Sequence, residues 1–332
     1  MKRVKTILKM LIGFCTFHLT AQNVEFRQNY THRSFLNPAL IGLGNYDNQQ
    51  ATRLISGFKA KWVGLNRRLN STYLNSDFSY NKNTSFGFNL DATEFISSQK
   101  LDRAYSFKHF HSSLTYAYLI NTDAMNMKFG LSFDISNFSF GSANFIWGDQ
   151  INQDMTAFSN PTKEPIENLN QTALYSSVGC FLFKRDWFFG AATFNVNQPD
   201  ISFYGSSSQP IYRKYVIHGG YQFERKFSNL IFTPTFYFTS QNKTNQFGVD
   251  ATFNRGNLFY GSGYREFRQQ QNSAKSLHAF LNLRQAKWVF GYDLDLNISM
   301  SNAYLPLTHE FFLLYLIRSK KQQKAIYQLP TL

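Results

Sequence analysis

His109 and His111 stand two residues apart in an aromatic-rich stretch, and on a strand that spacing places both imidazoles on one face. Two such rings are half of a zinc site, but no cysteine and no carboxylate pair stands near them in sequence to complete one. His111-Ser112-Ser113 sets hydroxyls beside an imidazole. Adjacent strand residues point to opposite faces, so the adjacency builds no nucleophile and base. His309 and Glu310 diverge for the same reason, which leaves capping, luminal contact or a partner contact as their roles. No catalytic, metal-binding or cofactor-binding residues follow from these patterns, and the chain is read as a non-enzyme. The two histidines at 109 and 111 are read as interface or lumen groups beside Phe107 and Phe110.

A larger set of charges falls in one phase of the alternation: Asp91, Asp134, Asp250, Asp293, Asp295, Lys128, Arg265 and Arg284. If these share an interior they must be paired. Either they fill a lumen as a salt-bridge network or they line a selective solute path; with no ring of a single sign, filling is the preferred reading.

The elements that carry these residues are strands. Met125, Met127, Phe129, Leu131, Phe133 and Ile135 alternate with Asn126, Lys128, Gly130, Ser132 and Asp134. Residues 86–93, 247–254 and 288–298 repeat the pattern, with Gly and Asp opposite Phe and Leu. A soluble sandwich hides its apolar face; here the apolar face is outward and the polar face inward, which is a transmembrane barrel. Composition agrees. Aromatics make up 18% of the 332 residues and charged residues 16%, against about a quarter charged in soluble domains. Mean hydropathy is −0.34, and after residue 21 no uncharged apolar run reaches the roughly 18 residues of a membrane helix.

The alternation predicts an all-β, antiparallel barrel of about fourteen strands over residues 51–317, near 51–63, 70–80, 84–95, 104–120, 124–140, 172–183, 187–196, 210–224, 229–240, 244–254, 257–267, 275–284, 287–298 and 308–317. Connections alternate between short, as at 81–83, 184–186 and 255–256, and long, as at 96–103, 141–171, 197–209, 268–274 and 299–307. Only 241–243 breaks the rhythm. Outer-membrane barrels have short periplasmic turns and longer outer loops, and an even strand number puts both termini in the periplasm. Pro234 marks a bulge or lip position. Trp187, Phe188, Phe189, Tyr116 and Tyr118 read as girdle or lipid-facing rings.

Residues 1–21 read as a signal peptide: Lys2, Arg3, Lys5 and Lys9 precede the largely apolar Met10–Leu19, and Ala21 precedes a cleavage point. Residues 22–50 form a polar segment that plugs the lumen or projects into the periplasm, and 318–332 form a basic tail. The net charge of +14 falls to +10 without the four signal charges, and Arg318, Lys320, Lys321 and Lys324 hold four of the rest. The remaining charge is scattered through turns, which suits lipid headgroups rather than nucleic acid. Cys180, alone after signal removal, reads as a packed thiol.

Five short motifs resemble the PorP/SprF family of type IX secretion system membrane proteins. Asn37-Pro38-Ala39-Leu40-Ile41-Gly42 resembles its Asn-Pro-Ala-x-x-Gly segment, and Lys61-Trp62-Val63-Gly64 its Gln-Trp-Val-Gly. Asn197-Gln198-Pro199 is similar to its Asn-x-Pro element and Gly263-Tyr264-Arg265 to its Gly-x-Tyr-Arg strand. Tyr292-Asp293 followed by His309-Glu310 resembles its closing strands, although Asn302 to Leu307 replaces the usual glycine run. The resemblance implies an integral outer-membrane barrel that supports secretion or surface attachment of large adhesin-like proteins in gliding or adherent bacteria, without catalysis. Its implied partners are outer-membrane lipid, type IX subunits and a secreted adhesin-like protein, with no small-molecule substrate. A channel or transporter for small solutes or lipids is the alternative. The connection 141–171, with Trp147, Asp149, Asp154, Lys163 and Glu164, exceeds the length of a passive hairpin and is the expected partner loop.

Overall fold

A computed structural model of the chain describes residues 31–43, 45–46, 49–63, 67–98, 104–140, 170–202, 208–225, 230–269, 272–299 and 307–318. The strands are β1 (Asn45–Tyr46), β2 (Gln49–Val63), β3 (Arg67–Ser79), β4 (Thr84–Ser98), β5 (Ala104–Asn121), β6 (Asn126–Phe140), β7 (Asn170–Lys184), β8 (Trp187–Phe194), β9 (Lys214–Tyr221), β10 (Phe223–Arg225), β11 (Leu230–Gln241), β12 (Thr244–Arg255), β13 (Leu258–Gln269), β14 (Asn272–Gln285), β15 (Trp288–Asn297) and β16 (Leu307–Arg318). β1 is a short hairpin on the start of β2, and β10 continues the line of β9 along β11. The other fourteen close an antiparallel barrel, sealed where β16 pairs with β2 from Leu307↔Val63 to Arg318↔Ala51.

Alternation sets which side chain faces which solvent. In β6, Lys128, Ser132, Asp134 and Ser136 are buried in the lumen while Phe129, Leu131, Phe133 and Ile135 are exposed on the outer wall. A slip of one residue would exchange the two faces, so lipid outside and paired charge inside fix the register. About fourteen strands were expected and fourteen close the all-β barrel wall; among the described residues no helix is long and apolar enough to cross a membrane.

Departures are local. The expected long connection 268–274 shrinks to residues 270–271, because Gln269 pairs with Asn272 and the strands run on through polar residues. The β11–β12 connection is likewise a two-residue turn, Asn242-Lys243, with Asn242 at φ 54°. β11 runs straight through Pro234, which pairs with Ala251 on one side; on the other side the β9–β10 line breaks at Gln222, whose N–H turns to Asp186 O instead. Trp62 is a bulge: Leu307 pairs with Val63 and Thr308 with Lys61, so Trp62 is the extra residue and takes φ 60°. Phe188, read as a girdle ring, is 2% exposed and packs inside, whereas Trp187, Phe189, Tyr116 and Tyr118 are exposed on the outer wall.

Candidate functional site in the plugged lumen

Residues 31–43 cross the lumen near the end of the barrel that carries the turns at 81–83 and 122–125. They hold one helical turn, α1 (Arg33–Leu36), and a 3₁₀ turn at Pro38–Leu40. Such short helices have no stability of their own; the barrel wall orders them. Asn37 is the centre of the lock. Its carbonyl oxygen on the side chain accepts from Ala39 N (2.9 Å), capping the 3₁₀ turn, and Pro38 fits the first position of that turn. Its amide donates to Cys180 O at 2.9 Å and to Ala191 O at 3.2 Å, and lies 3.1 Å from His218 Nε2. One side chain thereby ties the segment to β7, β8 and β9.

The wall is shaped to receive it. A Cβ added at Gly130 would overlap the backbone of Pro38 and Ala39, and one added at Gly179 would overlap the side chain of Asn37. Around this cradle Leu36, Ala39, Leu40 and Leu43 pack with Phe181, Phe183, Phe188 and Val216. Gly42, at φ +63°, turns the chain away, donating its N–H to Asp77 (2.9 Å) and accepting from Ser79 Oγ (2.8 Å).

The opposite flank is ionic. Arg33 and Arg53 meet Asp77 at 3.5 and 3.7 Å, and Arg53 also donates to Thr31 O. Lys128 Nζ donates to Ile41 O (2.5 Å) and Ser85 Oγ (2.8 Å). His32 Nε2 lies 2.9 Å from Glu310 Oε1, and Lys59 Nζ lies 3.7 Å from Glu310 Oε2. Asn75 Nδ2 is 3.5 Å from His32 Nδ1, so the network assigns a neutral ring with the proton on Nε2. Burial holds His32 below its usual value, against the opposing pull of the Glu310 hydrogen bond.

Two Asp–His–Asp groups brace the rest of the lumen. His111 sits between Asp91 (2.6 Å) and Asp134 (3.3 Å), and His278 between Asp250 (2.8 Å) and Asp293 (3.0 Å). Both nitrogens of each ring face carboxylate oxygens, which leaves no lone pair for a metal. His109 stacks on Phe138 and lies 2.9 Å from Ser136 Oγ, but Ser136 is fully buried and also bound to Tyr175 OH. Among the described residues no group of His, Cys, Asp and Glu suits a metal. The luminal charges therefore meet as a filled network, with Arg265 over the Tyr237 ring at 5.4 Å among Asp250, Asp293 and Asp295.

The motif residues separate into four places. Asn37, Pro38 and Gly42 form the plug; Arg265, Asp293 and Glu310 are luminal. Tyr292 and His309 join on the outer wall, Tyr292 OH to His309 Nδ1 at 2.9 Å. Trp62, edge-on to Phe95 at 6.3 Å, stands at the other end of the barrel. There Pro199 O accepts from Ile211 N, and neighbouring Asp200 is held below the usual carboxylate range by hydrogen bonds from Ser208, Gln209 and Ser202. Gly64 and the loop residues Trp147, Asp149, Asp154, Lys163 and Glu164 lie outside the described residues. Sequence reasoning missed His32, Arg33, Asp77, Arg53 and Lys59, and placed Gly130 on the inward face without a role; the one available signal was the Asn-Pro-Ala-x-x-Gly motif in a segment without periodicity.

A family profile described as type IX secretion system membrane protein PorP/SprF matches residues 19–315. No curated protein matches the sequence. Among solved structures, the chain is similar to the CymD monoaromatic hydrocarbon channel, with TM-score 0.56 and 11% identity over 90% of this chain and 95% of that one. It is also similar to the Pseudomonas putida toluene transporter TodX, with TM-score 0.51 and 9% identity over 88% and 94% of the two chains. At these identities the likeness is one of fold.

Proposed function

Because this chain belongs to the PorP/SprF family of type IX secretion system membrane proteins, we propose that it is a plugged anchoring barrel which supports secretion or surface attachment of a large adhesin-like protein. It is an integral outer-membrane component of that secretion system, and both its family and its fold are non-enzymatic types. The observation that carries the finer reading is the plug. Residues 31–43 span the lumen from Glu310 on β16 to Ala191 on β8, and every charge they bring is paired. A barrel filled this way is a scaffold rather than a pore, and secretion-system subunits and lipid are its partners.

Solved relatives of the same fold carry small hydrocarbons, so a channel for small solutes or lipids is the second reading. The Asn37 lock and the ionic flank argue against an open path. Affinity isolation of the tagged protein from outer membrane, with mass spectrometry of what co-purifies, tests the choice. Type IX subunits and one large secreted protein are the expected companions. Isolation without them, together with steady ohmic conductance of the purified barrel in planar bilayers, would reverse the order of the two readings.

A further inference from the structure

β7 outruns its neighbour: it has 15 residues against 8 in β8, and their ladder begins only at Val178↔Thr193. From Asn170 to Ser177, β7 therefore has β6 along one edge and, among the described residues, no strand along the other. The chain that follows β8 covers this edge for one step. Val196 N donates to Ser176 O, and the Asn197 side-chain amide accepts from Ser176 N (3.1 Å) and donates to Leu174 O (2.9 Å). The chain then bonds to itself, Ile201 N to Gln209 O and Ile211 N to Pro199 O, and Ile211 packs inward on Phe138, Ala173 and Tyr175.

Leu174 and Ser176 turn their backbone groups toward the open edge, so Thr172, two residues on, turns its N–H and C=O the same way. Toward β6, Thr172 is joined through its side chain, with Asn137 Nδ2 donating to its Oγ1 at 3.0 Å. Among the described residues nothing bonds the Leu174 N–H or the N–H and C=O of Thr172. The setting is apolar: Leu174 is 64% exposed on the outer wall, beside Ile135 at 49%. Acyl chains supply no hydrogen bonds, and a bare strand edge is a template for another strand. The Asn197 amide shows the fit, since one side chain with the chemistry of a peptide group already bonds the edge as a strand would.

We propose that the β7 edge at Thr172–Leu174 is a strand-addition site, where an extended segment of a second polypeptide continues the sheet from the point at which the Asn197 amide ends. The segment takes the three free backbone groups and sets an apolar side chain beside Leu174. Main-chain bonds supply the affinity and the neighbour of Leu174 the selectivity. The inference deepens the anchoring reading and rests on it, because it names a contact by which the barrel holds a partner. The contact is the same whichever pole faces outward.

The test places a benzophenone amino acid at position 174 of the full-length barrel in the outer membrane of intact cells, with sequencing of the photocrosslinked products. The same residue at position 114 is the control, because Leu114 is 63% exposed but lies on a strand paired along both edges there. One dominant adduct with a second polypeptide, mapped to one short segment of it, is expected from position 174 and not from 114. Thr172→Pro removes the open N–H, and an edge strand tolerates proline; the adduct should fall about tenfold. Thr172→Val keeps the N–H and should leave the adduct unchanged. Heat-modifiable gel mobility reports assembly, and Asn170→Pro, on the same edge at the first residue of the strand, replaces Thr172→Pro if that variant does not assemble. The proposal is overturned by the absence of a protein adduct, by an adduct to residues 141–169 of the same chain, by the same adduct from position 114, or by an adduct that proline leaves intact or Thr172→Val abolishes. Companions recovered by affinity isolation without the position-174 adduct fail this contact alone, whereas loss of the companions fails the anchoring reading.

Discussion

Asn37 has no exposed surface and makes contacts to three strands through one amide. Asn37→Ala removes an added donor from the Cys180 and Ala191 carbonyls, which keep their ladder partners, and takes the side-chain acceptor from the Ala39 N–H, at about 1–3 kcal/mol if water cannot reach that group. The expected outcome is a barrel that assembles, since the wall ladders are untouched, but whose 31–43 segment becomes cleavable by protease and whose bilayer current turns noisy. A protected segment in Asn37→Ala would show that the lock lies elsewhere. His32 gives a pH dependence. Burial holds its folded value below the ordinary 6.5, so the docked ring is neutral and the released ring takes up a proton more readily. Docking free energy from this group is complete above pH 6.5 and declines as pH falls below it. Acid should therefore loosen the plug, with Glu310, Lys59 and Arg53 around the ring. His32→Gln keeps a donor for Glu310 and removes the proton; protease protection measured between pH 7.5 and 5 should lose the His32 share of its slope. Identical profiles for parent and variant would dismiss the residue.

At the scale of the element, the strand carries its own instructions. Phe129, Leu131 and Phe133 against Lys128, Ser132 and Asp134 identify β6, its faces and its register before any contact is known, because lipid and lumen select opposite chemistries two residues apart. Phe133→Arg tests the outward face: 63% exposed and mid-strand, it should cost about 2–4 kcal/mol in the lipid-facing belt, seen as a lower urea midpoint for the folded gel form in vesicles. A midpoint equal to that of the parent would place Phe133 outside the lipid belt. What periodicity could not reach were polar strand ends and the plug. Arg268, Gln269, Asn272 and Ser273 read as loop because no apolar partner marks them, yet they pair in ladder register beyond the apolar belt. Residues 31–43 read as shapeless because their order comes from the wall. No local signal tells that Gly130 and Gly179 are spaces for Pro38 and Asn37 rather than breaks in a pattern. The luminal charges were legible as a set that had to pair, but their partners were not: Asp77 binds Arg33 and Arg53 from segments far apart in sequence.

For the whole molecule, the barrel has two unlike poles. At one, the short turns, the plug and the joined ends of β2 and β16 come together, with Ala51 opposite Arg318. The described residues begin and end near this pole, Thr31 against Arg53 and Arg318 opposite Ala51, and under the proposed orientation the pole faces the periplasm and its secretion machinery. The other pole holds the longer connections, among them residues 141–169 between β6 and β7. If that pole faces outward, an epitope inserted near residue 155 is reachable by antibody on intact cells, and one added after Leu332 is not. Reactivity of both, or of the C-terminal tag alone, would discard the orientation. The same geometry gives the strongest test of function. β6 and β7 pair along their whole length, from Asn126↔Phe183 to Ser139↔Asn170, so the ladder does not depend on what joins them at the far end. Deleting 145–168 should leave heat-modifiable mobility and the tightness of the plug unchanged. If the outer loops hold an emerging adhesin while the plugged pole holds the apparatus, that deletion releases or abolishes the surface adhesin and stops gliding or adhesion. Intact display and motility in a well-assembled deletion variant would remove the loop from the mechanism.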